Sequence, residues 1–184
     1  MNDRSGQDVA VRIGDLHALA PGSPDRLVAV GLGSCAGVTI VDTDTGACAL
    51  AHVFLPELPP GGARKEAGPG TYADVAIPEL VRRVRELGGA GTVRRLVAVV
   101  AGGAQMFGAR PGNDVGERNI EAVRAALQAA GIRIVSEDVG GSKGRTVRVT
   151  ADRGVRVTVR VVGATEQELW SDQTTTVAGD RLAA

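Results

Sequence analysis

The 184-residue sequence predicts a single domain of the α+β or layered α/β class, in which a mixed β-sheet carries two main helices. Apolar, β-branched runs of strand length recur along the chain, and two longer segments show the apolar spacing of amphipathic helices. A chain of this length can form one substantial core, and no repeat or composition break indicates a second domain. We expect the domain at residues 9–163, between a flexible N-terminus (residues 1–8) and a polar tail (residues 164–184).

The N-terminal half predicts strands and turns. Residues 9–19 predict a first strand that Gly14 interrupts, and the apolar run ending at Leu32 is typical of a strand covered on both faces. Residues 36–42 and 47–53 flank the short polar turn 43–46, which predicts a β-hairpin. The Pro- and Gly-rich residues 55–70 predict a long loop that could cover a site near the second strand.

Two segments predict helices. The first has apolar residues at helical spacing: Ala73, Ile77, Leu80, Val84 and Leu87. Thr71 and Asp74 resemble a capping box, and Pro78 should kink this helix or delay its start. The second has a core stripe that Gly131 closes: Ile120, Val123, Leu127 and Ala130. Asp114 with Glu117 can cap it.

The C-terminal half adds further strands. We expect a buried strand at 96–101, a short strand at 132–135, and an antiparallel hairpin at 146–150 and 155–162 with one wet face. Beyond it, Trp170 could dock the tail onto the body.

Composition and sequence patterns argue against nucleic-acid binding, membrane insertion, secretion and a zinc site. Lys plus Arg and Asp plus Glu number 21 each, so the neutral chain does not favour nucleic acid or an acidic membrane as partner. No apolar run is long enough for membrane insertion and no signal-peptide pattern occurs, so the expected location is cytoplasmic. Two cysteines and two histidines lack the paired spacing of a zinc site, so we expect no metal and no cofactor.

Cys35 and His52 form a candidate catalytic pair. If Asp42 faces Ala47 in the hairpin, Gly37 faces His52, and Cys35 then lies diagonally beside His52 on the same face. A thiolate is a strong nucleophile, and a nearby imidazolium lowers the pKa of a thiol. The alternative is that Cys35 is a small buried core residue. In the same register Cys48 lies far from Cys35, which predicts free thiols.

Glycines surround this pair. Within the bend that contains Gly33, backbone N–H groups near Ser34 and Cys35 can converge as an oxyanion hole requires, and Gly37 leaves room for a substrate. A second glycine turn, with Gly103 and Gln105, either flanks the site or only reverses the chain. A third, at residues 140–145, is expected to be a turn or a rim.

Six segments occur in a recognisable order: GLGSC (31–35), AHVFLPE (51–57), TYADVA (71–76), AGGAQMF (101–107), GERNIEAV (116–123) and SEDVGGSKGRTV (136–147). Together they resemble the chemoreceptor glutamine deamidases of bacterial chemotaxis, the CheD family. The resemblance covers about residues 10–162. It implies that Cys35 is the nucleophile and His52 the base, and it places Tyr72 and Asp74 near the pocket.

Two positions depart from the family pattern. Ala29 stands where the family has a catalytic threonine, and Gln105 stands where it usually has serine. Either another acceptor orients the imidazole of His52, such as a backbone carbonyl or the hydroxyl of Ser34 or Thr39, or the imidazole is loosely held. On this reasoning Ala29→Thr is expected to raise activity.

The resemblance implies hydrolysis of protein glutamine side chains to glutamate and ammonia, without a cofactor. It implies chemoreceptor helices as substrates and a CheC-type phosphatase as regulator. Two other classes stay open: a binding module that docks these partners without chemistry, and a different thiol amidase or peptidase.

Overall fold

The structure is a computed structural model that describes residues 6–62, 67–88, 95–106 and 115–172. It has three layers: two helices, a five-stranded sheet, and a second five-stranded sheet. The predicted α+β class is confirmed. The sequence predicted one mixed sheet, whereas the strands form two sheets. No helix within the described ranges is long and apolar enough to cross a membrane.

The outer sheet has the strand order β1-β3-β8-β9-β10. Its strands are β1 (Asp8–Ala10), β3 (Arg26–Leu32), β8 (Arg145–Thr150), β9 (Arg156–Val161) and β10 (Gln167–Ser171). The strands β8 and β9 form the predicted antiparallel hairpin, and β9 alternates between buried and open positions. Trp170 in β10 is 9% exposed, so the folded chain extends past residue 163.

The inner sheet has the order β2-β5-β4-β6-β7. Its strands are β2 (Leu16–Leu19), β4 (Ala36–Asp42), β5 (Cys48–Val53), β6 (Leu96–Gly102) and β7 (Arg133–Val139). Every residue of β4, β5 and β6 is buried, because one face meets the helices and the other meets the outer sheet. The predicted first strand is broken at Gly14 as expected, and its halves join different sheets.

The helices cover the inner sheet. They are α1 (Ala73–Gly88) and α2 (Val115–Ala129). Both predicted apolar stripes face the sheet, except that Leu87 is 42% exposed. The helix α1 begins before Pro78, so its start is not delayed, and the capping box is wrong: the Asp74 carboxylate accepts the N–H of Leu58 instead. Asp114 lies outside the described residues.

One strand differs from its predicted environment. The strand β3 was expected to be covered on both faces, but Val30 is 67% exposed. Leu27 and Ala29, whose side chains point to the opposite face of β3 from Val30, are fully buried between the sheets. The outer sheet therefore has one face in the core and one in solvent, as antiparallel sheets commonly do.

Candidate active site

A glycine corner, residues 31–35, carries the chain from the outer sheet to the inner one. Gly31 has a φ of +75° and interrupts the pairing of β3 with β8 between Val30 and Leu32. Glycine adopts this left-handed conformation without the strain that a side chain would bring. The bulge ends β3 and starts the turn that delivers Cys35 to the head of β4.

The hairpin of β4 and β5 has the register that the sequence predicted. Gly37 is paired with His52, and the Asp42 N–H donates to the Ala47 carbonyl. Cys35 packs in the core between the two sheets, and the alternation of β5 places His52 on that same side. The thiol and the imidazole are therefore brought to one face as diagonal neighbours.

The imidazole of His52 is fixed by a backbone carbonyl. Its Nδ1 lies 3.2 Å from the Val11 oxygen, and since a carbonyl can only accept, Nδ1 carries the proton. The side chain is 1% exposed, and its Nε2 has no hydrogen-bond partner among the described residues, Cys35 included. A neutral imidazole in this tautomer presents the Nε2 lone pair as a base.

The Val11 carbonyl orients the imidazole of His52, which is the role that the family pattern gives to a threonine at position 29. The Thr39 hydroxyl does not take it, because its buried Oγ1 has no partner in the described part of the chain. Ala29 is fully buried in the core between the sheets, where its methyl contributes packing. An alanine at this position is thus compatible with an oriented His52.

Burial sets the protonation of the pair. Desolvation raises the pKa of the Cys35 thiol, an effect that its own backbone N–H partly opposes. Desolvation lowers the pKa of His52, against smaller opposing effects of the Val11 hydrogen bond and the Asp15 charge. The resting pair at neutral pH is therefore a thiol beside a neutral imidazole.

The second glycine turn holds the nucleophile corner. The Gly103 N–H donates to the Cys35 carbonyl at 2.8 Å, and the Ala104 N–H donates to the Gly33 carbonyl at 2.7 Å. A Cβ on Gly102 would lie 2.2 Å from the Cys35 oxygen, so only glycine permits this approach. The turn therefore supports the corner directly.

Two glycines near the pair have packing neighbours. A Cβ on Gly37 would lie 2.7 Å from Leu32 Cδ1, so the space that was expected for a substrate is filled by Leu32. A Cβ on Gly33 would lie 2.9 Å from Met106 Cγ, and Met106 is 47% exposed. Leu32 therefore occupies the space over Gly37, and the half-exposed Met106 lies beside Gly33.

The remaining candidate residues lie around this centre. Tyr72 is buried at the start of α1, and its strand-like bridge to Leu55 holds the chain that follows β5. Asp74 fixes the same loop through Leu58. The structure gives both residues a role in placing the start of the 55–70 loop. Arg64, Lys65 and Glu66, which the sequence suggests as a solvated charge cluster or else a partner contact, lie outside the described residues.

Gly103 and Gln105 line a cleft of about 490 Å³ next to the corner. The Gln105 N–H donates to the Gly141 carbonyl, which joins the second glycine turn to the third. Gly141 and Ser142 form the opposite wall of the cleft, so the third turn is a rim, as predicted. Gly103 therefore lines the cleft and also donates to the Cys35 carbonyl of the nucleophile corner.

Sequence reasoning missed Asn119 on α2. Its Nδ2 donates to the Ser34 carbonyl at 2.9 Å and to the Phe54 carbonyl at 3.0 Å, and the residue is fully buried. A signal was present, because Asn119 lies beside Ile120 within the apolar stripe of α2, where a polar side chain requires partners.

Both cysteines are free, as predicted. Cys48 is fully buried in mid-strand, where desolvation raises the pKa of its thiol to about 12. At neutral pH the thiolate of Cys48 is then negligible, which leaves Cys35 as the cysteine suited to nucleophilic chemistry.

The chain is similar to known proteins over most of its length. The family described as CheD chemotactic sensory transduction matches residues 54–161. The chain is 43% identical to the probable chemoreceptor glutamine deamidase CheD of Symbiobacterium thermophilum, over 92% of this chain and 100% of that protein. It is 41% identical to the chemoreceptor glutamine deamidase CheD of Thermotoga maritima, over 79% of this chain and 87% of that protein. A third relative, from Methanococcus maripaludis, is 38% identical over 78% of this chain and 89% of that protein.

Proposed function

Because the chain belongs to the CheD family, we propose that it is a chemoreceptor glutamine deamidase that hydrolyses glutamine side chains to glutamate and ammonia. One observation carries the proposal: a corner cysteine shares a face with a histidine whose Nδ1 is bonded and whose Nε2 is buried without a partner among the described residues. A buried polar atom without a partner is costly, and such atoms often mark function. This pair suits attack by a thiol on a carboxamide.

In the proposed first half-reaction, Nε2 of His52 takes the proton of the Cys35 thiol as sulfur attacks the glutamine side-chain carbonyl. The carbonyl electrons move to oxygen, which backbone N–H groups at Ser34 and Cys35 stabilise. The oxyanion collapses, the C–N bond breaks, and His52 returns its proton to the departing amine. Ammonia leaves and a thioester remains on Cys35.

In the second half-reaction, neutral His52 removes a proton from water, which attacks the thioester carbonyl. The C–S bond then breaks, and His52 returns the proton to the departing sulfur, which regenerates the thiol and releases glutamate. The elements of water are consumed once per glutamine, and neither a metal nor a redox partner enters the balance. The general-base route fits a resting pair in which both groups are neutral.

The proposed substrates are the helices of chemoreceptors, as the names of the relatives indicate for those proteins. The half-exposed Phe54 and Met106 provide apolar contact area near the corner. We place the reaction in the cytoplasm, since a thiol nucleophile must stay reduced and both cysteines are free. Regulation by a CheC-type phosphatase is a proposal that rests on the family resemblance.

Ammonia release from a glutamine-containing receptor helix tests the function. We expect release by the wild type and none by His52→Ala, with both proteins folded by circular dichroism. A folded wild type that binds the receptor without releasing ammonia would instead be a binding module, and cleavage of the peptide backbone would identify a peptidase. Either result would overturn the proposed deamidation.

A further inference from the structure

Asn119 is a polar residue on the otherwise apolar face of α2. That buried face consists of Gly116, Asn119, Ile120, Val123 and Leu127. The side chain of Asn119 is fully buried, at 0% exposure. Placing a carboxamide in a core position is costly unless its hydrogen bonds serve a purpose.

Both hydrogens of its Nδ2 are used at the active site. One is donated to the Ser34 carbonyl, in the nucleophile corner, and the other to the Phe54 carbonyl, directly after β5. Phe54 lies two residues beyond His52, and Ser34 immediately precedes Cys35. One side chain therefore ties the backbone next to the nucleophile to the backbone that follows the base.

The bond to Ser34 also fixes the direction of an N–H group. The Ser34 carbonyl and the Cys35 N–H belong to one peptide unit, and no cis peptide occurs in the described chain. In a planar trans peptide these two groups point in opposite directions. With the carbonyl directed at Asn119, the Cys35 N–H is directed away from α2. Its effect on the thiol agrees, because this N–H lowers the pKa of Cys35.

The neighbouring carbonyls are held in the same way. Gly33 accepts from Ala104, and Cys35 accepts from Gly103. Both of those donors are backbone N–H groups. They do not depend on the identity of a side chain, as long as the turn itself forms. The Ser34 carbonyl between them instead accepts from a side chain, so a substitution at position 119 can remove this hydrogen bond.

The other polar atom of Asn119 has no such use. Its Oδ1 is buried without a hydrogen-bond partner among the described residues. An unsatisfied buried acceptor lowers stability, and an apolar residue would avoid that cost. The two hydrogen bonds donated by Nδ2 are therefore the contribution that an apolar residue at position 119 could not make.

We propose that Asn119 is a positioning residue, which aims the Cys35 N–H at the developing oxyanion and sets the spacing between the nucleophile corner and the end of β5. This role rests on the proposed deamidation. Hydrogen bonding at the carbonyl also polarises the peptide unit, which strengthens its N–H as a donor. Asn119 acts through the backbone and does not contact the substrate.

The test compares Asn119→Asp and Asn119→Ala with a control, Val123→Ala, one turn further along the same buried face. Three quantities are measured for each folded protein: the melting temperature, kcat and KM for ammonia release, and the pH dependence of Cys35 alkylation by iodoacetamide. Asp has nearly the shape of Asn, but its carboxylate cannot donate to either carbonyl, and its neutral acid form can donate to only one of the two.

We expect both Asn119 variants to lose about 100-fold in kcat, the scale for loss of one oxyanion donor, with KM little changed. Their Cys35 alkylation profile should move to higher pH, because the N–H no longer favours the thiolate. Val123→Ala should lower the melting temperature and leave kcat and the alkylation profile at wild-type values.

The positioning role is overturned if a folded Asn119 variant keeps the wild-type kcat and profile, or if Val123→Ala changes both equally. It is also overturned if neither Asn119 variant folds while Val123→Ala does, since the residue is then structural. If the wild type releases no ammonia, the proposed deamidation fails. In that case a shifted alkylation profile still supports the geometric role of Asn119, and an unchanged one overturns it.

Discussion

At the residue scale, the Val11 carbonyl decides which nitrogen of His52 carries the proton. Nδ1 donates to that carbonyl, so Nε2 is left as the basic atom on a ring that is almost fully buried. Burial disfavours the charged imidazolium, and the same desolvation disfavours the thiolate of Cys35. In the proposed reaction both groups therefore start neutral, and the proton moves from sulfur to Nε2 during the attack.

This protonation predicts the pH profile of kcat/KM. The reaction needs neutral His52, and the pKa of His52 is lowered from 6.5. Activity should rise with pH through an apparent pKa below 6.5 and then stay level through neutral pH. Asp15→Asn removes a charge that raises this pKa, so its acidic limb should lie still lower. An acidic limb at or above 6.5 would contradict the buried neutral imidazole.

The structure revises the expected effect of Ala29→Thr. The sequence suggested a gain in activity, but Val11 already orients His52 and position 29 is fully buried. We now expect no rise in kcat and a loss of about 1–2 kcal/mol in unfolding free energy from burying a hydroxyl. Ammonia release and urea unfolding measure these two effects. A clear increase in kcat would mean that the Val11 hydrogen bond does not orient the ring.

At the element scale, one turn and one helix hold the nucleophile corner between the sheets. The turn after β6 donates to the carbonyls of Gly33 and Cys35, and α2 reaches the carbonyl between them through Asn119. The corner is thus positioned by elements that are distant in sequence. Changes in those elements should reach the chemistry without altering either proposed catalytic residue.

Gly102→Ala tests this support. Gly102 has a φ of +113°, and an added Cβ would lie 2.2 Å from the Cys35 carbonyl oxygen. We expect a loss of both stability and kcat, because the corner must move. Gly163→Ala is the matched control: its φ is +84°, but nothing lies within 4 Å of the added Cβ. It should lose stability only. Equal kcat values for the two variants would show that the corner does not depend on this contact.

At the scale of the whole molecule, the two sheets enclose the core in which Cys35 lies. The last strand, β10, contributes Trp170 to that core and pairs with β9. It lies at the edge of the outer sheet, opposite β1 and away from the corner. The strand should therefore contribute to stability more than to chemistry.

Trp170→Ala is expected to lower the unfolding free energy by about 3 kcal/mol, the lower end for truncating a buried tryptophan. The kcat of the folded fraction should stay at the wild-type value. Urea unfolding and ammonia release measure these effects, with Val162→Ala, at a 66% exposed side chain, as the control. A Trp170→Ala protein as stable as that control would show that β10 is not part of the cooperative fold.

Local patterns predicted the hairpin register and both helical stripes, because each depends on residues close in sequence. The partition of strands into two sheets was not predictable in this way, since it depends on long-range pairing such as that of β3 with β8. The acceptor for His52 was missed because every residue has a carbonyl, and the filled space at Gly37 was missed because it depends on how Leu32 packs.

The most direct test of the central claim is mass spectrometry of a chemoreceptor cytoplasmic fragment after incubation with the purified protein. We predict conversion of specific glutamines to glutamate by the wild type and by Cys48→Ser, and none by Cys35→Ser. Burial raises the pKa of Cys48 to about 12, so this cysteine serves as the matched control. Conversion that persists in Cys35→Ser, or its absence with the folded wild type, would contradict a Cys35-dependent deamidase.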